Sequence, residues 1–397
     1  MKYIILLADG MADRPVKELG DKTPLEAAST PVMDELFKKS VTGMVHPLCE
    51  GFPLGSDVGN MAILGYNPNE HYTGRAAMEA ANLGINLGGR DVAFRCNLVT
   101  VKNNIMQDYS AGHISTKEAK ELVKMLDSKL GSKDIRFYPG KSYRHVMVMK
   151  GGETVKATPP HDITGKNIEE YWPKGSKSKE LIQMMKDSVF LLDYHEVNMS
   201  RRAEEKKPAN MIWFWGQGKK LALPTLKERF GLEGAVISAV DLINGIGISM
   251  GLEVINVPGV TGYIDTNYKG KADYALKALK KKDFIYVHVE ATDEMGHNRD
   301  AKGKVEAVEK FDTEIAGRIV EGMRKTGEDF KIMITSDHAT PIEAGTHTID
   351  PVPFIIYNST KEAENPVEQF SEKVIREKSQ LKFEKGWELF PYFIKEA

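Results

Sequence analysis

The chain has 397 residues, and at roughly 150 residues per domain this length predicts two or three domains. We expect two. Its composition, 41% hydrophobic and 28% charged, is typical of a globular protein rather than a disordered, fibrous or membrane one. A formal net charge of -2 provides no field that would attract nucleic acid, so we expect no nucleic-acid partner.

The N-terminal segment does not predict a signal peptide, because the apolar run after Lys2 is interrupted at Asp9. No segment approaches the roughly 20 apolar residues needed to span a bilayer, so we expect no membrane partner and a cytoplasmic location. The two cysteines, Cys49 and Cys96, cannot build a disulfide framework. Neither lies near a His or a second Cys at metal-ligand spacing, so we expect both to be buried thiols.

The first predicted element is a buried strand at residues 3–8, a continuous apolar run that ends at Asp9. Residues 23–39 have helical spacing and predict a helix that crosses to the next strand. Residues 51–65 are rich in glycine and other small side chains. They predict a loop that approaches a ligand closely before it enters a helix.

The pattern changes between residues 72 and 199, where short strands at 92–101 and 143–149 and a helix at 117–130 predict an inserted α+β domain. Strands and helices then alternate, with predicted strands at 211–215, 236–237, 253–257, 284–290 and 331–336 and a helix at 272–281. This alternation predicts a parallel sheet with helices on both faces, which the N-terminal strand joins. The predicted domains are a discontinuous core, residues 1–71 and 200–397, and an insert, residues 72–199.

Three of the predicted core strands are followed by acidic residues. Asp9 follows the first strand, Asp293 lies shortly after the strand at 284–290, and Asp337 follows the strand at 331–336. In an open α/β sheet, the carboxyl ends of parallel strands meet in one crevice. The sequence therefore predicts that these carboxylates lie close together.

Histidines accompany two of these carboxylates. His297 follows Asp293 by four residues, a spacing that places both side chains on one helical face or in one tight turn. His338 directly follows Asp337, and His347 lies in a loop just beyond. A lone Asp at a strand end is more often a helix cap or a turn former. Three carboxylates with three imidazoles, however, suit Mn²⁺ or Zn²⁺ and more than one ion.

Ser56 is the second candidate, within the sequence GSDVGN at residues 55–60. A serine before a helical run is a common N-cap. The same position places a hydroxyl where backbone N–H groups and the helix dipole favour a phosphate, and metal binding to the oxygen would make it a nucleophile. The two interpretations are compatible.

Several motifs in this chain occur together in a known family. They are ILLADGM at 5–11, GSDVGN at 55–60, YTGR at 72–75, DVAFRCNL at 91–98, DYSAGH at 108–113, DEMGH at 293–297 and TSDH at 335–338. Over nearly its whole length, the chain resembles the alkaline phosphatase superfamily and, within it, the archaeal-type branch of the 2,3-bisphosphoglycerate-independent phosphoglycerate mutases. The resemblance implies an α/β fold with a parallel-sheet, alkaline-phosphatase-like core and an inserted smaller α+β domain.

The resemblance also implies two metal sites. One ion would be held by Asp293, His297 and His347, and the other by Asp9, Asp337, His338 and the oxygen of Ser56. Ser56 would be the residue that carries the phosphate. The expected ions are Mn²⁺, with Co²⁺, Zn²⁺ and Mg²⁺ as alternatives, and no bisphosphoglycerate cofactor is expected.

The family binds its substrate through basic residues of the inserted domain. The candidates of the insert in this chain are Arg75, Arg95, His113, Arg144 and His161. Arg201 and Arg202 are further candidates that could reach phosphate from the linker returning to the core, but they lie in a stretch rich in Lys and Glu, where a solvated surface is the commoner interpretation.

The implied activity is the interconversion of 3-phosphoglycerate and 2-phosphoglycerate through a phosphoserine, so the expected partner is a small phosphorylated metabolite. The oligomeric state stays open. Many members of the family have arginines where this chain has MIWFWGQG, at residues 211–218. A homoserine-kinase-like phosphotransferase and a phosphomonoesterase on the same scaffold therefore remain alternatives. The three aromatic residues of this segment, Trp213, Phe214 and Trp215, indicate a buried strand rather than a surface on which nucleic-acid bases stack.

Overall fold

The structure is a computed structural model that describes residues 1–365, 369–379 and 381–397. It divides into two compact units. Unit 1 comprises Met1–Tyr72 and Leu223–Ala397, and unit 2 comprises Thr73–Ala222. No helix in the described part of the chain is both long and apolar enough to cross a membrane.

The strands of both units are numbered in chain order. They are β1 (Lys2–Ala8), β2 (Ser40–Val45), β3 (Asp91–Lys102), β4 (Ile105–Asp108), β5 (Ile135–Tyr138), β6 (Arg144–Lys150), β7 (Met211–Lys219), β8 (Gly234–Ile237), β9 (Glu253–Val254), β10 (Phe284–Val289), β11 (Phe330–Thr335), β12 (Val352–Asn358) and β13 (Lys382–Phe383).

The helices are numbered in the same way. They are α1 (Pro24–Ala27), α2 (Pro31–Phe37), α3 (Ser56–Ile63), α4 (Pro68–His71), α5 (Arg75–Asn82), α6 (Thr116–Leu130), α7 (Ser178–Asp193), α8 (Glu196–Ala203), α9 (Leu226–Phe230), α10 (Asp241–Ser249), α11 (Tyr268–Leu279), α12 (Ala291–His297), α13 (Ala301–Lys310), α14 (Arg318–Thr326), α15 (Glu372–Lys378) and α16 (Leu389–Lys395). A π-helical segment, Phe311–Gly317, joins α13 to α14. Short 3₁₀ helices occur at Lys17–Leu19, Pro160–Ile163, Ile168–Tyr171 and Gly386–Glu388.

Unit 1 is built on an eight-stranded sheet with the strand order β13-β2-β12-β11-β1-β10-β8-β9. As the sequence predicts, β1 joins this sheet, where it pairs in parallel with β10 on one side and β11 on the other. β12 runs antiparallel to both of its neighbours, β11 and β2, so the sheet is mixed and not fully parallel. Every residue of β10 and β11 is buried, which explains why both strands are mostly apolar.

The helix predicted at residues 23–39 is two short helices, α1 and α2. The chain between them is extended at Ala28, with φ -72° and ψ 146°. Pro31 is the reason for the break, because it has no N–H to continue a helix and disfavours helical geometry in the residue before it. Thr30 accordingly has φ -124° and ψ 57°.

Unit 2 has an antiparallel sheet in the order β4-β3-β6-β5, with β7 paired to β3. β7 was expected in the parallel sheet of the core, and this prediction is wrong. It runs antiparallel to β3, with pairs from Val92–Lys219 to Val99–Met211. The C-terminal boundary of the insert therefore lies at residue 222 and not at 199, because the insert needs β7 to complete its sheet.

The two cysteines differ in burial. Cys96 lies on β3 and is buried, as the sequence predicts. Cys49 is only half-buried, so the prediction of a buried thiol is wrong for this residue. Both are free thiols.

Candidate active site

Three neighbouring strands place carboxylates at one edge of the unit 1 sheet. Asp9 directly follows β1, Asp337 lies just beyond β11, and Asp293 lies in α12, directly after β10. Because β11, β1 and β10 are adjacent and parallel, their carboxyl ends meet at the same edge. The three side chains are buried, with 2% of Asp9, 6% of Asp293 and none of Asp337 exposed.

The first group of ligand atoms consists of Asp293, His297 and His347. The Nε2 atom of His297 lies 3.2 Å from Asp293 Oδ2, and that of His347 lies 3.5 Å from Asp293 Oδ1. Each Nδ1 atom faces a backbone carbonyl, that of Gly345 at 3.1 Å and that of Leu54 at 2.9 Å. Both Nδ1 atoms therefore donate, and both Nε2 atoms are directed at Asp293, only 2.9 Å from each other. A metal cation fits this convergence of three ligand atoms.

The electrostatics of this group also indicate a cation. The hydrogen bond to Asp293 raises the pKa of His297 to about 9. Burial by itself raises the pKa of Asp293, but the hydrogen bonds from His297 and His347 outweigh it and hold that pKa well below its ordinary value. A positive charge beside Asp293 is thus strongly favoured, and a divalent ion supplies one.

The second group contains Asp9, Asp337, His338 and Ser56. The Nε2 atom of His338 lies 3.3 Å from Asp9 Oδ1, 3.4 Å from Asp337 Oδ2 and 3.1 Å from Ser56 Oγ. Asp293 also belongs here, because its carboxylate, Asp9 and His338 have ligand atoms within 4.8 Å of one another. Asp293 therefore lies between the two groups, an arrangement that the sequence did not indicate.

The carboxylates of the second group are poorly neutralised by the protein. Burial raises the pKa of Asp9 well above its ordinary value, and repulsion from Asp337 and Asp293 adds to this. Burial likewise raises the pKa of Asp337 to about 7. The Oδ1 atom of Asp9 is buried without a hydrogen-bond partner among the described residues. Ionised carboxylates buried in this way destabilise the folded protein unless a cation lies beside them. The residues therefore fit a second divalent ion.

Ser56 is the first residue of α3, and Gly55 occupies the N-cap position with extended backbone. The N-cap interpretation of Ser56 is therefore wrong. Its hydroxyl lies instead beside His338, at the positive end of the helix dipole. This position keeps the oxygen within the second ligand group and available to an incoming phosphate.

Three further polar residues contact the ligand groups and were missed in the sequence. His288 Nε2 lies 2.9 Å from Asp9 Oδ2, Asn60 Nδ2 donates to Asp337 Oδ2 at 2.6 Å, and Thr340 Oγ1 donates to Asp293. Burial lowers the pKa of His288 to about 3, so its ring is neutral. The sequence contains one indication of a role for His288, because it is the polar residue near the end of FIYVHV, an otherwise apolar strand.

In unit 2, several of the basic candidates surround the ring of Trp215 on β7. The guanidinium of Arg95 lies 4.2 Å from the ring centroid, and that of Arg75 lies 5.9 Å from it. The ring of His161 is 5.3 Å away, edge to face. β7 thus contributes an aromatic ring against which arginines of α5 and β3 pack.

Two further candidates lie against a second ring, that of Tyr143. The guanidinium of Arg144 lies 4.5 Å from its centroid, and the ring of His113 lies 6.1 Å from it. Tyr109 links the two parts, with its ring 5.7 Å from Tyr143 and 5.9 Å from His161. We call Arg75, Arg95, His113, Arg144 and His161 the basic cluster.

The basic cluster carries an excess of positive charge. Burial lowers the pKa of Arg95 to about 10, and repulsion from Arg75 and Arg144 acts in the same direction. Glu79 opposes these effects through an ion pair with Arg95 at 3.0 Å. Planar guanidinium groups held together in this way are suited to binding carboxylate or phosphate.

Arg201 lies outside the basic cluster. It is 3% exposed, and its guanidinium donates to Ala111 O at 2.7 Å, Lys207 O at 2.9 Å and Glu118 Oε1 at 3.0 Å. Ala111 begins a turn in which it, Gly112 and His113 all have positive φ, at 49°, 62° and 50°. Arg201 therefore supports the turn that carries His113, instead of facing a ligand.

Arg202 lies outside the basic cluster as well. It pairs with Asp193 through both the side chain and the backbone carbonyl, and 39% of its side chain is exposed. This agrees with the solvated-surface interpretation of the stretch.

Comparison with known proteins agrees with the resemblance in the motifs. The sequence profile described as 2,3-bisphosphoglycerate-independent phosphoglycerate mutase matches residues 38–198. A protein of that name from Methanosarcina acetivorans is 49% identical over 378 residues, which are 95% of this chain and 95% of its own length. The protein from Methanothermobacter thermautotrophicus named 2,3-bisphosphoglycerate-independent phosphoglycerate mutase 2 is 46% identical, over 96% of this chain and 94% of its own.

Solved structures show the same fold. The PH0037 protein from Pyrococcus horikoshii has a TM-score of 0.83 and 30% identity, with coverage of 99% of this chain and 96% of its own. The cofactor-independent phosphoglycerate mutase from Thermoplasma acidophilum has a TM-score of 0.67 and 24% identity, with coverage of 100% and 99%. Because it is 49% identical to a member along 95% of its length, the chain belongs to the family of the 2,3-bisphosphoglycerate-independent phosphoglycerate mutases.

Proposed function

We propose that the chain interconverts 3-phosphoglycerate and 2-phosphoglycerate, with Ser56 as the phosphate carrier and without a bisphosphoglycerate cofactor. The observation that carries this proposal is the position of the Ser56 hydroxyl. It lies at the start of α3, 3.1 Å from His338 Nε2, among buried carboxylates and imidazoles. The names of the relatives supply the substrate class.

Two divalent ions, Mn²⁺ in our proposal, would be held by the ligand groups described above. Asp293, His297 and His347 form one set, and Asp9, Asp337, His338 and Ser56 Oγ form the other. When bound, such ions supply Lewis-acid stabilisation of the phosphoryl oxygens and lower the pKa of the serine hydroxyl. The mixed oxygen and nitrogen ligands also accommodate Co²⁺, Zn²⁺ or Mg²⁺.

Ser56 takes part in both transfers. The Ser56 hydroxyl loses its proton and its oxygen forms a bond to phosphorus while the bond from phosphorus to the 3-oxygen of the substrate breaks, and the 3-oxygen takes up a proton. The 2-hydroxyl of the same glycerate then loses its proton and attacks the phosphoserine, and the released Ser56 oxygen takes up a proton. No phosphate is lost to water in this sequence. The N-terminal N–H groups of α3 favour the phosphate at this position.

The basic cluster of unit 2 is proposed to bind the carboxylate of the glycerate. Between the two transfers the glycerate must turn without dissociating, so an anchor that holds its carboxylate is required. Arg75, Arg95 and Arg144 provide guanidinium groups that can bind a carboxylate through paired hydrogen bonds. The guanidinium groups lie against the rings of Trp215 and Tyr143.

The central test is an assay with 3-phosphoglycerate and Mn²⁺-loaded protein, with product detected through enolase and no bisphosphoglycerate added. We expect 2-phosphoglycerate without free phosphate, and a phosphopeptide that contains Ser56 after acid quenching. Ser56→Ala should abolish both signals and retain most of the bound metal, because the other three ligands of its set remain. Ser29→Ala is the control, since Ser29 is an exposed serine of unit 1.

Other outcomes would contradict the proposal. Release of free phosphate as the main product would identify a phosphomonoesterase. Phosphorylation of homoserine in the presence of ATP would identify a kinase-like phosphotransferase. A phosphoenzyme on a residue other than Ser56 would contradict the assignment of the carrier.

A further inference from the structure

A chain of hydrogen bonds runs from Asp9 through His288, a residue outside both ligand groups as defined above, although its ring has a ligand atom within 4.8 Å of ligand atoms of Asp9 and Asp337. The backbone N–H of Val240 donates to Ser238 Oγ at 3.0 Å, and Ser238 Oγ lies 3.2 Å from His288 Nδ1. His288 Nε2 lies 2.9 Å from Asp9 Oδ2. His288 is fully buried, and Ser238 and Asp9 are 7% and 2% exposed, so water does not compete for these contacts.

With Asp9 ionised, as a metal ligand must be, the chain of contacts favours one position for each hydrogen. Because Ser238 Oγ accepts the N–H of Val240, its own hydrogen is free to point at His288 Nδ1. Nδ1 is then the acceptor, and the ring hydrogen is on Nε2, where it donates to Asp9 Oδ2. The opposite tautomer would place a lone pair of Nε2 against a carboxylate oxygen, which is unfavourable.

The backbone of His288 is held as firmly as its ring. His288 pairs with Leu7 of β1 within the sheet, and its carbonyl accepts a hydrogen bond from Lys271 Nζ at 2.7 Å. Lys271 is itself fully buried. The imidazole therefore has little freedom to move relative to Asp9, which directly follows the same strand, β1.

The two oxygens of Asp9 consequently have different roles. Oδ2 is engaged by His288, whereas Oδ1 has no hydrogen-bond partner in the described part of the chain and lies 3.3 Å from His338 Nε2. We propose that His288, oriented by Ser238, is a positioning residue that holds Asp9 so that a single oxygen, Oδ1, binds the metal ion of the second group. The inference rests on the proposed function, because it assumes that this group binds a metal.

The test measures metal binding by the full-length protein after removal of metal by chelation. Titration with Mn²⁺ by calorimetry counts the sites and gives their affinities, and Co²⁺ absorption reports the ligand geometry. In His288→Leu, which removes the donor, we expect the affinity of one of the two sites to fall about 10- to 100-fold, as is usual when a hydrogen-bond partner of a ligand is lost. The other site, with Asp293, His297 and His347, should keep its affinity.

Conservative variants separate positioning from general stability. His288→Gln retains an N–H that can reach Asp9 and should recover most of the lost affinity and the Co²⁺ spectrum. Ser238→Ala should weaken the same site, and Ser238→Thr, which retains the hydroxyl, should restore it. Ser249→Ala is the matched control, since its hydroxyl contacts only the carbonyl of Gly245 among the described residues.

The outcomes distinguish this inference from the proposed function. If the parent protein binds two ions and both His288→Leu and Ser238→Ala bind them equally well, the positioning role is refuted while the proposed function stands. If a third ion binds and is lost in His288→Leu, His288 is itself a ligand, and the inference is also refuted. If the parent binds no divalent ion, the inference and the metal assignment fail together. Should His288→Leu not fold, the pair Ser238→Ala and Ser238→Thr decides the question alone.

Discussion

The guanidinium of Arg95 shows how the basic cluster depends on its neighbours. It is 7% exposed, pairs with Glu79 and lies over Trp215, yet its pKa falls to about 10 because burial and two nearby arginines disfavour its charge. A buried cation among other cations gains from a bound anion. The cluster therefore gains stability when a carboxylate or phosphate binds.

The first prediction concerns the partition of products. In Arg75→Ala and Arg144→Ala, we expect transfer to Ser56 to continue while glycerate escapes more often, which leaves the phosphoserine open to hydrolysis. Since a hydrogen bond to a charged group is worth about 1.5–3 kcal/mol, the ratio of free phosphate to 2-phosphoglycerate should rise about 10- to 100-fold. Both products are measured at matched metal content.

Arg136→Ala is the control for this prediction. Arg136 belongs to the same unit, is 59% exposed and pairs with Asp127, so its loss should leave the ratio unchanged. An unchanged ratio in Arg75→Ala and Arg144→Ala as well would remove both arginines from the proposed site.

At the scale of elements, the helix that carries Ser56 is placed by a close approach. Gly59, in the first turns of α3, packs against the carbonyl of Asp337, and a Cβ at this position would collide with that oxygen. The absence of a side chain therefore sets the distance between α3 and the end of β11. Ser56 and Asp337, which belong to the same ligand group, depend on this distance.

We predict that Gly59→Ala lowers activity while the protein remains folded. The added methyl group should cost about 1–3 kcal/mol of folding free energy, as overpacking usually does. A displacement of Ser56 by even about 1 Å should reduce kcat about 100-fold. The comparison is with Gly89→Ala, where a Cβ would meet no atom within 4 Å. Equal kcat values in the two variants would show that the close approach is unimportant.

Asp312 stabilises the start of α2 from a distant part of the chain. It lies in the π-helical segment Phe311–Gly317, and its carboxylate accepts the N–H groups of Met33 at 2.7 Å and Val32 at 3.2 Å. These N–H groups have no partner within the helix itself, so the carboxylate acts as a cap. Burial nevertheless raises its pKa from 3.8 to about 6.

The raised pKa predicts a pH dependence of stability with a definite sign. Between about pH 4 and pH 6, the folded protein binds a proton at Asp312 that the unfolded chain has released, so the free energy of unfolding falls as the pH rises through this window. Relative to Asp312→Asn, which cannot titrate, the loss should reach about 3 kcal/mol. Denaturant unfolding of both proteins at pH 4, 5, 6 and 7 measures it. Parallel pH profiles for the two proteins would contradict the prediction.

At the scale of the whole molecule, unit 2 is a continuous segment with a hydrophobic core of its own. Trp213 and Phe214 of β7 are fully buried in that core, together with residues of β3, β6 and α7. β7 pairs with β3 over most of the length of that strand. A fragment that ends before β7 would expose this surface of β3 and leave the core incomplete.

We predict that a fragment of residues 73–222 folds alone and unfolds cooperatively. A fragment of residues 72–199, the boundaries that the sequence predicted, should lack β7 and populate no cooperative fold. Circular dichroism during thermal unfolding and the dispersion of amide NMR signals distinguish the two fragments. Cooperative unfolding of the shorter fragment would show that β7 is dispensable and that the sequence-based boundary was adequate.

The sequence by itself determined the strand ends and the motifs that bring chemistry to them. Asp9 and Asp337 were found because each follows a mainly apolar run, a pattern that a buried parallel strand imposes locally. Asp293 and His297 were found because four residues on a helix place side chains on one face. Ser56 was found because it lies where a loop of small residues enters a helix. The basic candidates came from the family resemblance, and the basic cluster includes five of these seven.

Only the tertiary structure decided which elements pair and which polar groups support the site. An apolar strand such as β7 is buried in either sheet, so its sequence does not specify its partner, and the direction of β12 is likewise set by its neighbours. His288 and Ser238 are 50 residues apart, and Arg201 is 90 residues from Ala111. Their roles depend on which strands and turns become adjacent on folding, and a hydrogen bond over such a separation leaves no periodic signal in the sequence.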